Sequence, residues 1–180
     1  MARMTITEAL ADIKTTQARI EKKRRSILEH VVRDSRFKDP MEAEGGTVEY
    51  IKRERQAVHD LEEKIVKIRS AIQRANLEIR LEIGGVERTL AAWLNWRREV
   101  AQGAGLFLEG LVQRIGLNRA HAGRVGLARE PAPAPGMQQA DVVVNVPERE
   151  LAEEIEKHAT ILGQLDGKLS LLNATTTVDV

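Results

Sequence analysis

The sequence predicts a mainly α fold: an antiparallel bundle of long helices with a small β-sheet cap. Three observations carry that expectation. Charged residues make up 31% of the 180 positions and aromatics only 3%, a composition suited to solvated helices with aliphatic seams. Apolar residues recur in threes and fours over long stretches, the spacing of one helix face. Two short segments, 77–83 and 174–180, instead have strand-like composition where a helix ends.

The first helix is expected to start near Thr5, because Thr5 and Glu8 have the spacing of a capping box. Ile6, Leu10, Ile13, Ile20, Ile27 and Val31 then form a heptad-like stripe to about Val32, with Gln17 and Arg24 at its polar positions. Residues 34–47 hold Pro40 and Gly45-Gly46 and read as a loop. A second helix opens at Thr47 and runs to about Asn76 on Ile51, Val58, Leu61, Ile65, Ile68 and Ile72. Two such helices joined by a loop predict a hairpin.

Residues 77–83 alternate apolar and charged side chains, as a strand with one wet face does. Gly84-Gly85 follows as a turn, and Val86-Glu87-Arg88 returns as a short strand. Thr89 is an N-cap for a third helix, expected to continue to about Ile115 despite three glycines. Segment 116–141, with three of the five prolines, reads as an extended arm or linker. Residues 142–146 form a β-type run, and Pro147 stands where the first residue of a helix belongs. The fourth helix carries Leu151, Ile155, Leu162, Leu165, Leu169 and Leu172, with His158 as the polar seam member, before the terminal strand. Residues 1–115 and 142–180 are thus expected to build one domain.

Two helix ends resemble each other. Ile72 stands four before Asn76, Leu169 four before Asn173, and a strand follows each. Asn tolerates the left-handed conformation that ends a helix. The two strands are expected to meet in one three- or four-stranded sheet.

Candidate chemistry is sparse. There is no Cys, which removes disulfides, thiolate ligands and thiol catalysis. His30, His59, His121 and His158 lack metal-site spacing. Gly84-Gly85 lacks the Lys-Ser/Thr of a phosphate loop, and pairs such as Glu62-Glu63 point in different directions on a helix. No enzyme activity, metal, cofactor or small-molecule substrate is expected. A net charge of +1 gives no field to recruit nucleic acid or an anionic membrane. No signal core or membrane-length apolar stretch is visible, which predicts a soluble product made in the cytoplasm.

Candidate contact residues remain. Trp93 and Trp96, three apart on one helix face, read as core anchors or interface anchors. Ile79, Leu81, Ile83, Val178 and Val180 of the strands are candidate contacts between chains. Lys22, Lys23, Arg24 and Arg25 spread round most of a helical turn, as a solvated face or as a basic contact.

Three places in the chain carry a family resemblance: 6–20, 72–94 and 144–180, the last ending in Leu172-Asn173-Ala174-Thr175-Thr176. In these the sequence resembles the septicolysin-like small helical proteins and related structural proteins of tailed bacteriophages. It departs from them around 34–46 and 116–141. The resemblance implies a helical bundle with a small β element and no catalytic residues. It also implies a virion component, a capsid decoration or head–tail protein, whose partners are its own copies and the shell or neck. The alternatives are a cellular coiled-coil adaptor binding through Trp93 and Trp96, and a nucleic-acid accessory protein using residues 22–25.

Overall fold

A computed structural model describes residues 3–127 and 143–180. The fold is mainly α, with four long helices and two small two-stranded sheets among the described residues. The chain divides into two units, Met1–Ile79 with Lys168–Val180, and Arg80–Gly167.

In the first unit, β1 (Arg3–Thr5) leads into α1 (Ile6–His30). The capping box forms as expected: the Glu8 amide donates to the Thr5 hydroxyl at 3.2 Å, and the Thr5 amide to the Glu8 carboxylate at 2.7 Å. A loop with a 3-10 turn at Glu42–Glu44 follows, then α2 (Thr47–Glu78). Asp39 fastens that loop to the helix start by accepting from the Thr47 hydroxyl and amide and from the Met41 amide. Antiparallel pairing of α1 with α2 is fixed by Ser26–Tyr50, Lys23–Glu54 and Asp12–Lys64, in which α1 numbers fall as α2 numbers rise.

Half of the expected α1 stripe holds, at Ile6, Ile13 and Ile20, and its alternate positions are off by one. Ile6, Ala9, Ile13, Thr16 and Ile20 are buried, whereas Leu10, Gln17, Arg24 and Val31 face water. Ala9, in one core cluster with Ala71, and Thr16 are buried small residues, which a count of large apolar residues misses. The core joins Ile6, Ala9, Ile13, Ile68, Ala71 and Val178.

The strand pairing differs from expectation. β4 (Thr177–Asp179) pairs antiparallel with β1, Met4 opposite Val178. In the second unit β2 (Arg80–Ile83) pairs with β3 (Val86–Thr89). So 77–83 and 174–180 share no sheet, and two two-stranded sheets replace the expected single one. Helix α2 retains Leu77 and Glu78, and α5 (Glu148–Thr175) runs past Asn173. Among the described residues no non-glycine has positive φ, so neither Asn76 nor Asn173 ends its helix in the left-handed region. Leu and Glu are strong helix formers, and the helical ladder outlasts the alternating pattern.

The remaining elements are α3 (Leu90–Trp96), a π turn at Arg97–Ala101, and α4 (Gln102–Leu127). Residues 116–127, expected in the linker, are therefore helical, and the rest of that segment lies outside the described residues. Residues 143–147 form no strand; Val142 is outside the described set. The Pro147 carbonyl accepts from the Leu151 amide at 3.0 Å, so Pro147 is the N-cap of α5 rather than its first residue, and the helix starts one residue later than expected.

Candidate interaction face on helix α4

The second unit is built outward from a glycine turn. Gly84 and Gly85 have φ of 59° and 78°, and a Cβ at Gly84 would lie 3.2 Å from the Ile161 side chain. The turn brings β3 back beside β2, and Thr89 ends it by capping α3 through the Ala92 amide at 3.2 Å. That cap positions Trp93, whose indole donates to the Leu81 carbonyl at 3.1 Å while the Arg88 guanidinium lies 5.0 Å from its ring centre. Trp96 meets Trp93 edge-on at 5.6 Å and lies 5.9 Å from the His158 ring.

The π turn follows directly. One extra residue in the helical ladder changes which side chains α4 turns inward. Ala101 is buried, and Ala104, Leu108, Leu111 and Ile115 are partly covered. Salt bridges from Arg97 to Asp166 at 3.0 Å and Arg119 to Glu148 at 2.5 Å set α4 antiparallel to the 148–167 part of α5. Between them lies a groove of about 350 Å³, walled by Gly105, Leu106, Ile155, His158 and Leu162. His158 Nε2 is enclosed there without a hydrogen-bond partner among the described residues. A Cβ on Gly105 would approach His158 Cε1 to 3.3 Å.

The side of α4 turned away from the buried Ala101, which begins at the rim of that groove with Leu106, is unusual. At 100° per residue, Gly103, Leu106, Gly110 and Leu117 fall in one narrow arc, flanked by Val100 and Phe107. Leu106 is 62% exposed and Phe107 66%, and Val100 and Leu117 are also exposed. A Cβ on Gly103 or Gly110 would meet nothing within 4 Å. Glu109 and Arg114 are the only charges in residues 101–118. An apolar strip of this kind marks a contact surface. The strip was missed in the sequence because glycines interrupt the large apolar residues; the charge depletion was the available signal.

The sequence-derived candidates divide between core and surface. Trp93 is 2% exposed, and Ile83 and Val178 are also buried, so all three anchor their own units. Trp96, Ile79, Leu81 and Val180 are half-buried. The basic run is split: Lys23 pairs with Glu54 at 2.7 Å, and Arg24 with Glu21 and Glu62 at 2.9 and 2.6 Å. Lys22 and Arg25 are exposed, with no ion pair among the described residues. Among those residues no cluster of three or more His, Asp or Glu is placed to hold a metal ion, and no helix is long and apolar enough to cross a membrane.

No protein-family model matches the sequence, and no curated protein matches it. The fold is similar to a crystal structure described as a functionally unknown conserved protein from Corynebacterium diphtheriae, with a TM-score of 0.56 and 17% identity over 99% of this chain and 100% of that one. At this identity the likeness concerns the fold alone.

Proposed function

We propose that this chain is a non-enzymatic structural protein acting through protein–protein contacts, a component of a tailed-phage virion such as a capsid decoration or head–tail protein. The observation that carries the contact role is the outer strip of α4. Exposing Leu106, Phe107 and Leu117 together costs solubility unless a partner covers them. The residues beneath are well suited to holding it still: the Trp93 indole bond, the tilted Trp96–His158 ring contact and two salt bridges to α5 fix the helix from inside. The virion setting is supported by the sequence resemblance at 6–20, 72–94 and 144–180.

Co-sedimentation with purified shells and neck complexes, alongside mass in dilute solution, tests this reading. The parent chain is expected to associate, and Phe107→Glu to fold but lose the association. A stable monomer indifferent to shells, necks and its own copies refutes it.

A further inference from the structure

The α4 strip carries more information than its apolarity. Numbered as heptads, Gly103, Gly110 and Leu117 occupy one seam position and Leu106 and Gln113 the other. Phe107 and Arg114 flank the seam on one side; Gln102 and Glu109 flank it on the other, along the rim of the groove against α5. Neither Glu109 nor Arg114 has an ion pair among the described residues. The two charges stand five residues apart on opposite flanks. That offset is the one by which side chains of two parallel, in-register helices reach each other across a seam.

We propose that α4 pairs with α4 of a second copy of this chain, parallel and in register, as the contact through which the protein builds its assembly. The proposal rests on the contact role above and names its partner. Two-fold pairing makes the Glu109–Arg114 bridge twice. In an antiparallel pair like flanks face each other, so Glu109 and Arg114 stay apart and the charges discriminate against that arrangement. Shape agrees with charge. With no Cβ at Gly103 and Gly110, the backbones come close, and the Phe107 ring finds room over the partner's glycines. Gln113 meets Gln113 of the other copy, where an amide–amide hydrogen bond opposes a slip in register.

The absence of cysteine makes a clean test. Leu106→Cys and Leu117→Cys are prepared separately and oxidised, and sedimentation gives the mass from nanomolar to high micromolar concentration. Glu109→Arg, and the double variant Glu109→Arg with Arg114→Glu, are measured in parallel, with circular dichroism as the fold control. The expected result is a dimer in which each cysteine variant links to itself. Glu109→Arg should weaken the dimer roughly tenfold, since two attractive pairs become repulsive, and the double variant should restore it.

The two cysteine positions lie about 16 Å apart along the helix. An antiparallel pair can bring at most one of them to its counterpart. A dimer with a single self-link, or with none, overturns the proposal. So does a monomer at every concentration, or a monomer that uses Phe107 to bind phosphatidylglycerol vesicles. If that monomer still co-sediments with shells, the contact role stands and only self-pairing falls.

Discussion

Two glycines on α4, five residues apart, should respond oppositely to the same added methyl group. Gly105 and Gly110 both have ordinary helical φ, so alanine at either should gain the helix propensity that glycine lacks, about 1 kcal/mol. At Gly110 nothing lies within 4 Å of the new Cβ, and the full gain should appear. At Gly105 the Cβ arrives 3.3 Å from His158 Cε1, and the ring, tilted against Trp96, must give by a few tenths of an ångström. That displacement should cancel most or all of the gain.

The assay is urea unfolding followed by circular dichroism, at a concentration where the chain is monomeric. With a slope of about 2 kcal/mol per molar, Gly110→Ala should raise the midpoint by about half a molar, and Gly105→Ala should leave it unchanged or lower it. Equal gains at the two sites would refute the His158 packing. A loss at Gly110 would refute the open outer face. The same Gly110→Ala substitution should weaken pairing between copies, because the methyl group separates the backbones. One change thus stabilises the monomer and destabilises the dimer.

Ile68→Ala, at a fully buried position in the α1–α2 core, should cost about 2–5 kcal/mol in the same assay, whereas Val66→Ala, 57% exposed on the same helix, should fall within about 0.5 kcal/mol of the parent. Trp93→Phe keeps an aromatic but removes the donor to the Leu81 carbonyl, and should cost about 1 kcal/mol with a change in the fluorescence of the remaining Trp96. The Asp39 carboxyl is held at about 2, below its ordinary 3.8, first by the Thr47 hydroxyl and then by the Thr47 and Met41 amides. A depressed folded-state value means that its contribution is complete above about pH 4 and is lost as pH falls toward 2. Asp39→Asn should therefore flatten the stability profile in that window, read from the Thr47 amide resonance and the unfolding midpoint.

Features legible in the sequence were those whose causes are local. The Thr5–Glu8 box and the Thr89 cap need only three neighbouring residues, and both formed where their spacing put them. Hydrophobic period located the helices and placed Ile6, Ile13 and Ile20 of α1 correctly, but took Leu10 and Gln17 for the buried Ala9 and Thr16, whose small side chains carry little of the apolar pattern. Residues 116–127 were read with the Pro/Gly-rich linker, yet α4 continues through them, since the three prolines of that segment come only after residue 130. β1 was invisible: three residues carry no period, and their partner lies at the other end of the chain. For the candidate site, the tryptophans were found. The outer strip beside them was not, since an exposed face has no packing rule that a sequence must obey.

The pairing of Arg3 with Asp179 sets a condition on synthesis. A chain emerging from the ribosome can form the α1–α2 hairpin early, since its contacts are sequential. The sheet that covers Ile6, and the bond from its amide to the Thr176 carbonyl, must wait until residues 176–179 have been made. Closing so long a loop is slow relative to local folding. Until then the end of the hairpin core stays uncovered. A chain stopped before Thr177 would keep the described helices and still lack Val178, leaving Ile6 and Ile68 open to proteases and to the chaperones that bind apolar surface.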